Sequence, residues 1–121
     1  MLRLLSVLAL ALLIAPSAFA AGDAAAGKKN YDMLCFTCHG MTGTGDGPAA
    51  AALNPPPRDF SKGEFKFDAN KDGKAGEDAD LKLVIKNGAG TYGGNPAMAP
   101  WGHLADKDLD DLIAYVRSLK K

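Results

Sequence analysis

The chain has 121 residues, 14 basic and 14 acidic side chains, 47% hydrophobic residues and two cysteines. That length bounds it to one domain, and the balanced charge argues against the basic surface that nucleic-acid binding needs. Two cysteines are also too few for a zinc site built from two ligand pairs.

The first residues read as a secretory signal. Arg3 supplies the positive start, Leu4 to Ala15 is almost wholly apolar, and Ala18-Phe19-Ala20 has the small-x-small form of a cleavage site. The apolar run is shorter than the roughly 20 residues that span a bilayer as a helix. No cysteine stands at the junction, so neither a membrane anchor nor a lipid anchor is expected after cleavage. The expected division is a signal peptide over 1–20 and one exported domain over 21–121. Removing 20 of the 121 residues leaves 101, and without Arg3 there are 13 basic against 14 acidic residues, a net charge of −1. A soluble protein of the bacterial periplasm is the implied destination.

The first predicted helix starts at about Ala24, capped by Asp23, and places Gly27, Tyr31 and Leu34 on one face. A glycine inside a helix costs about 1 kcal/mol relative to alanine, so Gly27 on that face predicts the close approach of another backbone. The helix runs into Cys35-Phe36-Thr37-Cys38-His39. Two thiols spaced by two residues, with an imidazole directly after the second, form the pattern that attaches haem c. The thiols reach the two vinyl groups of one porphyrin and His39 is left beneath it to coordinate the iron. A bare Cys-x-x-Cys also suits a thiol redox pair or a disulfide. The adjacent histidine, and a chain rich in helix signals and poor in strands, favour the haem. A planar apolar cofactor would supply much of the core that a domain of this size lacks.

From Gly40 to Phe60 there is no sustained periodicity, only glycines, a short alanine run over 49–52 that can form a helical turn, and Pro55-Pro56-Pro57. Such a loop can wrap a ring edge without a core of its own. Asp68-Ala69-Asn70-Lys71-Asp72-Gly73 resembles the opening of a calcium loop, with oxygen side chains from Asp68, Asn70 and Asp72 at alternate positions. The twelfth position is Ala79 rather than glutamate, and a solvated turn explains the same residues. A third helix is expected over about Asp80 to Lys86, stopped by Asn87-Gly88.

Met98 follows in a stretch without helical pattern, between Pro96 and Pro100. It lies far enough beyond His39 to present its thioether to the opposite face of the porphyrin. His103 is the alternative sixth ligand, and an open position is the third possibility. Met41 should stay on the His39 side and Met33 within the tethering helix. Two protein ligands on the iron would leave it only electrons to exchange, whereas an open position would admit gases or chemistry. The last helix carries Leu109, Leu112, Ile113, Val116 and Leu119 at three- and four-residue spacing, with Tyr115 beside them. Asp106 is its expected N-cap, and acids at its start with bases at its end suit the helix dipole.

Taken together, these segments resemble the small monohaem class I c-type cytochromes and are similar to the haem domains of cbb3-type oxidase subunit III. The resemblance rests on Cys35 to Gly40, Gly43 to Pro48, Pro55 to Phe60, Met98-Ala99-Pro100-Trp101-Gly102 and Leu112 to Val116. It implies an all-α cytochrome c fold, with three main helices and long loops wrapped around one covalent haem. It implies a crossing of first and last helices at Gly27, Tyr31 and Tyr115, and a Pro48 carbonyl accepting the second ring proton of His39. Arg58 and Trp101 are candidates for holding haem propionates, as a guanidinium fork and an indole N–H donor, the alternatives being a solvated loop charge for Arg58 and a pocket wall for Trp101. No catalytic residue is assigned. The implied role is electron carriage between transient redox partners, as a monomer or as a subunit of a larger redox complex.

Overall fold

The computed structural model describes residues 22–121. The expected signal segment over 1–20 therefore lies outside the described residues, as does Ala21. Four α-helices follow in order: α1 (Ala24–Leu34), α2 (Phe36–His39), α3 (Asp78–Asn87) and α4 (Asp106–Ser118). Short 3-10 turns stand at Ala50–Ala52, Phe60–Lys62 and Ala89–Tyr92, and there is no strand among the described residues. The three longer helices are those the sequence predicts.

Asp23 caps α1 as expected, its Oδ1 accepting the N–H groups of Ala25 (2.9 Å) and Ala26 (3.3 Å). The N-cap of α4 is Ala105 rather than Asp106. Asp106 sits in the first helical turn, where its carboxylate faces Lys82 at 3.6 Å across to α3. A carboxylate there still complements the helix dipole, although it no longer caps the turn. α3 begins two residues earlier than the sequence indicates because Asp80 turns back and accepts the Glu77 N–H at 3.0 Å.

The core forms where α1 crosses α4. Gly27 is buried, and a Cβ in its place would overlap the Asp111 carbonyl oxygen, so the missing side chain is what lets the two backbones touch. Next to this contact Tyr31 and Tyr115 pack edge to face with centroids 5.0 Å apart. Tyr31, Leu81, Leu112, Ile113 and Val116 make the buried cluster. Asp111 is also buried, and it ties the crossing shut by accepting the Asp23 N–H (2.7 Å) and pairing with Lys107 (2.7 Å).

Candidate functional site

The cysteine-histidine motif is held at a break in the helical backbone. α1 ends at Leu34, Cys35 leaves the regular helix with φ −118°, and α2 restarts over the next four residues to end on His39. Gly40 stops the chain with φ +82°, a conformation that disfavours any side chain. Its carbonyl accepts the Tyr31 hydroxyl at 2.6 Å, so the helix crossing and the end of the motif are fastened together. Burial raises the Tyr31 phenol pKa and keeps it a donor.

His39 is 8% exposed. Its Nδ1 meets the Arg58 carbonyl at 3.1 Å, which makes Nδ1–H the donor and leaves Nε2 with its lone pair free. Burial lowers the imidazole pKa and the Arg58 carbonyl opposes that shift in part. The result is a neutral imidazole, the form that binds iron. The acceptor is thus Arg58 and not Pro48, which is exposed and outside the cavity. The reason lies in how the loop returns. Gly45 N–H bonds to the His39 carbonyl (2.9 Å), Gly47 N–H to Cys38 (3.1 Å) and Ala49 N–H to Thr37 (2.9 Å), laying the Pro48 stretch along the outside of α2. The chain comes back to the imidazole only at Arg58, anchored by the Phe60 N–H on the Gly43 carbonyl at 2.7 Å.

The same return brings in a contact that the sequence does not announce. The Phe60 ring stacks on the His39 imidazole, with centroids 4.3 Å apart and planes 15° from parallel. Phe65 backs it at 5.9 Å. The one signal in the sequence was an aromatic two places after Arg58, within a loop otherwise made of small residues and prolines.

Cys35, Cys38 and His39 form part of the wall of a cavity of about 430 Å³. The floor comes from Leu81, Val84 and Ile85 of α3 with Leu112 and Val116 of α4, and Met98 and Trp101 also line the space. Arg58 lines it as well. Burial pushes the Cys35 thiol up to about 12, so in the haem-free chain it is a protonated, unreactive group. His103 is exposed and outside the cavity, and so are Met33 and Met41, at 71% and 76% exposure. Among the described residues Met98 is therefore the one sulfur or imidazole donor that lines the cavity besides the cysteine-histidine motif. An apolar slot with two thiols, a neutral imidazole and a thioether on its walls fits a haem.

The calcium-like stretch forms a turn whose side chains bond to its own backbone, which is the solvated-turn alternative. Asp68 gives its oxygens to the N–H groups of Asp72 (3.1 Å) and Gly73 (2.8 Å), and Asp72 gives one to Lys74 N–H at 2.9 Å. Asn70 Oδ1 accepts the Asp72 N–H at 3.3 Å, so all three side chains serve the backbone of a turn. Among the described residues no group of three or more His, Cys, Asp or Glu is placed to hold a metal ion.

Residues 24–120 match the family described as Cytochrome c. The chain belongs to the cytochrome c family. It is 40% identical over 103 residues to cytochrome c-554(547) of Halothiobacillus neapolitanus, a match covering 83% of this chain and all of that protein. It is 35% identical over 102 residues to a cytochrome c of Tetrahymena pyriformis, covering 81% of this chain and 90% of the other. Among solved structures it is similar to a chain of the reducing HAO-like protein complex of Kuenenia stuttgartiensis, with TM-score 0.68 and 28% identity. That match covers 83% of this chain but 44% of the other, so the chain spans less than half the length of that solved relative. As a small monohaem class I cytochrome c, the protein carries a covalently attached haem c, for which Cys35 and Cys38 supply the attachment pattern, and it transfers electrons. No helix among the described residues is long and apolar enough to cross a membrane.

Proposed function

We propose that the protein is a periplasmic one-electron carrier whose iron is closed on one side by His39 and on the other by Met98. The observation that carries this reading is the cavity lined by the buried His39 and by Met98, with no other sulfur or imidazole among the described residues beyond the attachment cysteines. The bound haem supplies a one-electron couple, and methionine as partner to histidine raises its potential. The rest falls to the chain: Arg58 and Phe60 would orient the imidazole, the apolar floor would exclude water, and Arg58 and Trp101, which line the cavity, would hold the propionates. Transfer to partners would run through small, transient contacts around the cavity mouth.

Residues 1–20 are, on this reading, a signal removed after Ala20, leaving a single domain over 21–121. Mass spectrometry of protein recovered from the bacterial periplasm tests export and attachment together. The expected mass is that of residues 21–121 plus one haem. An unprocessed chain would refute the location, and a processed chain without added mass would refute the attachment.

A second reading is favoured by one finding, the match to part of a longer chain in a multi-protein complex. There the domain would serve as the haem subunit of a larger dehydrogenase or reductase. Gel filtration of native extract separates the two readings. Elution at the size of a free domain supports the carrier, and co-elution with a larger redox activity supports the subunit.

A further inference from the structure

We propose that Asn95 is a latch that holds the Met98 segment across the cavity and thereby sets how readily an outside ligand reaches the iron. This rests on reading Met98 as the sixth ligand.

Between the Ala89–Tyr92 turn and α4 the backbone has no regular structure, so the position of Met98 depends on local hydrogen bonds. Three of them belong to one residue. The Asn95 carbonyl accepts the Met98 N–H at 3.1 Å and its side-chain Oδ1 accepts the Ala97 N–H at 2.9 Å, closing a tight turn around Pro96. Its Nδ2 donates to the Pro55 carbonyl at 3.1 Å, 40 residues away in sequence. A carbonyl can only accept and a backbone N–H can only donate, so these partners fix which way round the amide lies. Asn95, Met98 and Pro55 all line the cavity, and the bond from Asn95 to Pro55 joins the methionine segment to the proline segment. Downstream, the next backbone anchor is the Trp101 N–H on the Ile85 carbonyl at 2.9 Å. Met98 is thus suspended between two fixings, and the one side-chain group in the upstream fixing is the Asn95 carboxamide.

Aspartate at this position keeps the Oδ1 acceptor and the turn but loses the donor to Pro55, whereas alanine loses both. The test is stopped-flow binding of imidazole, a neutral probe, to the ferric holoprotein. The far-red absorption band of sulfur-ferric coordination and the far-ultraviolet circular dichroism are recorded alongside. Asn95→Asp should retain band and helix content yet bind imidazole roughly three- to tenfold faster than the unmodified protein, as expected for one lost hydrogen bond. Asn95→Ala should bind at least as fast. Wild-type kinetics in both variants, with the band intact, would overturn the latch. A second measurement needs no variant: the Asn95 side-chain amide protons should exchange with solvent more slowly than those of the exposed Asn54, and equal rates would overturn the proposal. Met98→Ala separates the two levels. Loss of the band in that variant, with unchanged kinetics in Asn95→Asp, refutes the latch alone, whereas an unchanged band in Met98→Ala refutes the ligand assignment beneath it.

Discussion

On the His39 side of the cavity the functional groups sit on two helices whose positions are set several times over. On the Met98 side they hang from a loop. The His39 imidazole has a carbonyl on Nδ1, an aromatic ring on its face and, through Gly40 and Tyr31, a link to the buried helix crossing. Met98 has a turn, a carboxamide bond to Pro55 and a backbone anchor three residues on. The loop side is where the site gives way. Loss of one contact on the His39 side leaves others in place, so ligation should fail first at the methionine.

The largest expected effect breaks the helical side outright. His39→Ala should prevent accumulation of holoprotein, measured by haem-stained gels of exported material. Normal haem content would mean that another residue fills its place. Gly27→Val comes next, since a side chain there must push α4 away from α1. We expect a loss of at least about 3 kcal/mol, larger than ordinary overpacking, with the cost read by denaturant melts.

Met98→Ala should strike the loop side without unfolding the protein. Haem should stay attached, and carbon monoxide should bind the reduced iron of the variant and not that of the unmodified protein. Phe60→Leu is subtler, with a stability loss of about 1 kcal/mol from the stacked ring pair. Its better readout is the pattern of paramagnetic proton shifts of the haem methyls, which follows the orientation of the axial imidazole plane. An unchanged pattern would mean that the Arg58 carbonyl sets that plane alone.

The smallest effect concerns acid. The Lys107 ammonium and then the Asp23 N–H hold the Asp111 carboxyl below its ordinary 3.8. The stabilisation is therefore complete above that value and is lost as pH falls below it through the lowered folded value. Asp111→Asn should be less stable near neutral pH and lose less stability on acidification, as followed by melts across the acid range.

How much of this was legible in the sequence differs between the same two sides. Gly27 on the face of α1 and the apolar spacing of α4 announce a close helix packing, because helical periodicity writes its contacts into neighbouring positions, whereas the pairing of Tyr31 with Tyr115 is implied by the resemblance. The attachment pattern was likewise local. The return of the chain at Arg58 was not, since nothing in a glycine- and proline-rich loop states which of its carbonyls will reach an imidazole. Pro48 was favoured by resemblance alone, and the hydrogen bonds along α2 carried it to the outside. The stacking of Phe60 on the imidazole is illegible in the sequence for the same reason. Asp68, Asn70 and Asp72 showed the converse, with a cation-like spacing that turned out to serve backbone N–H groups.

The most direct measurement is the visible and far-red absorption of the oxidised, exported protein. Closure of the iron by His39 and Met98 predicts a low-spin spectrum with the weak far-red band of sulfur-ferric coordination. A high-spin spectrum, or a low-spin one lacking that band, would contradict it.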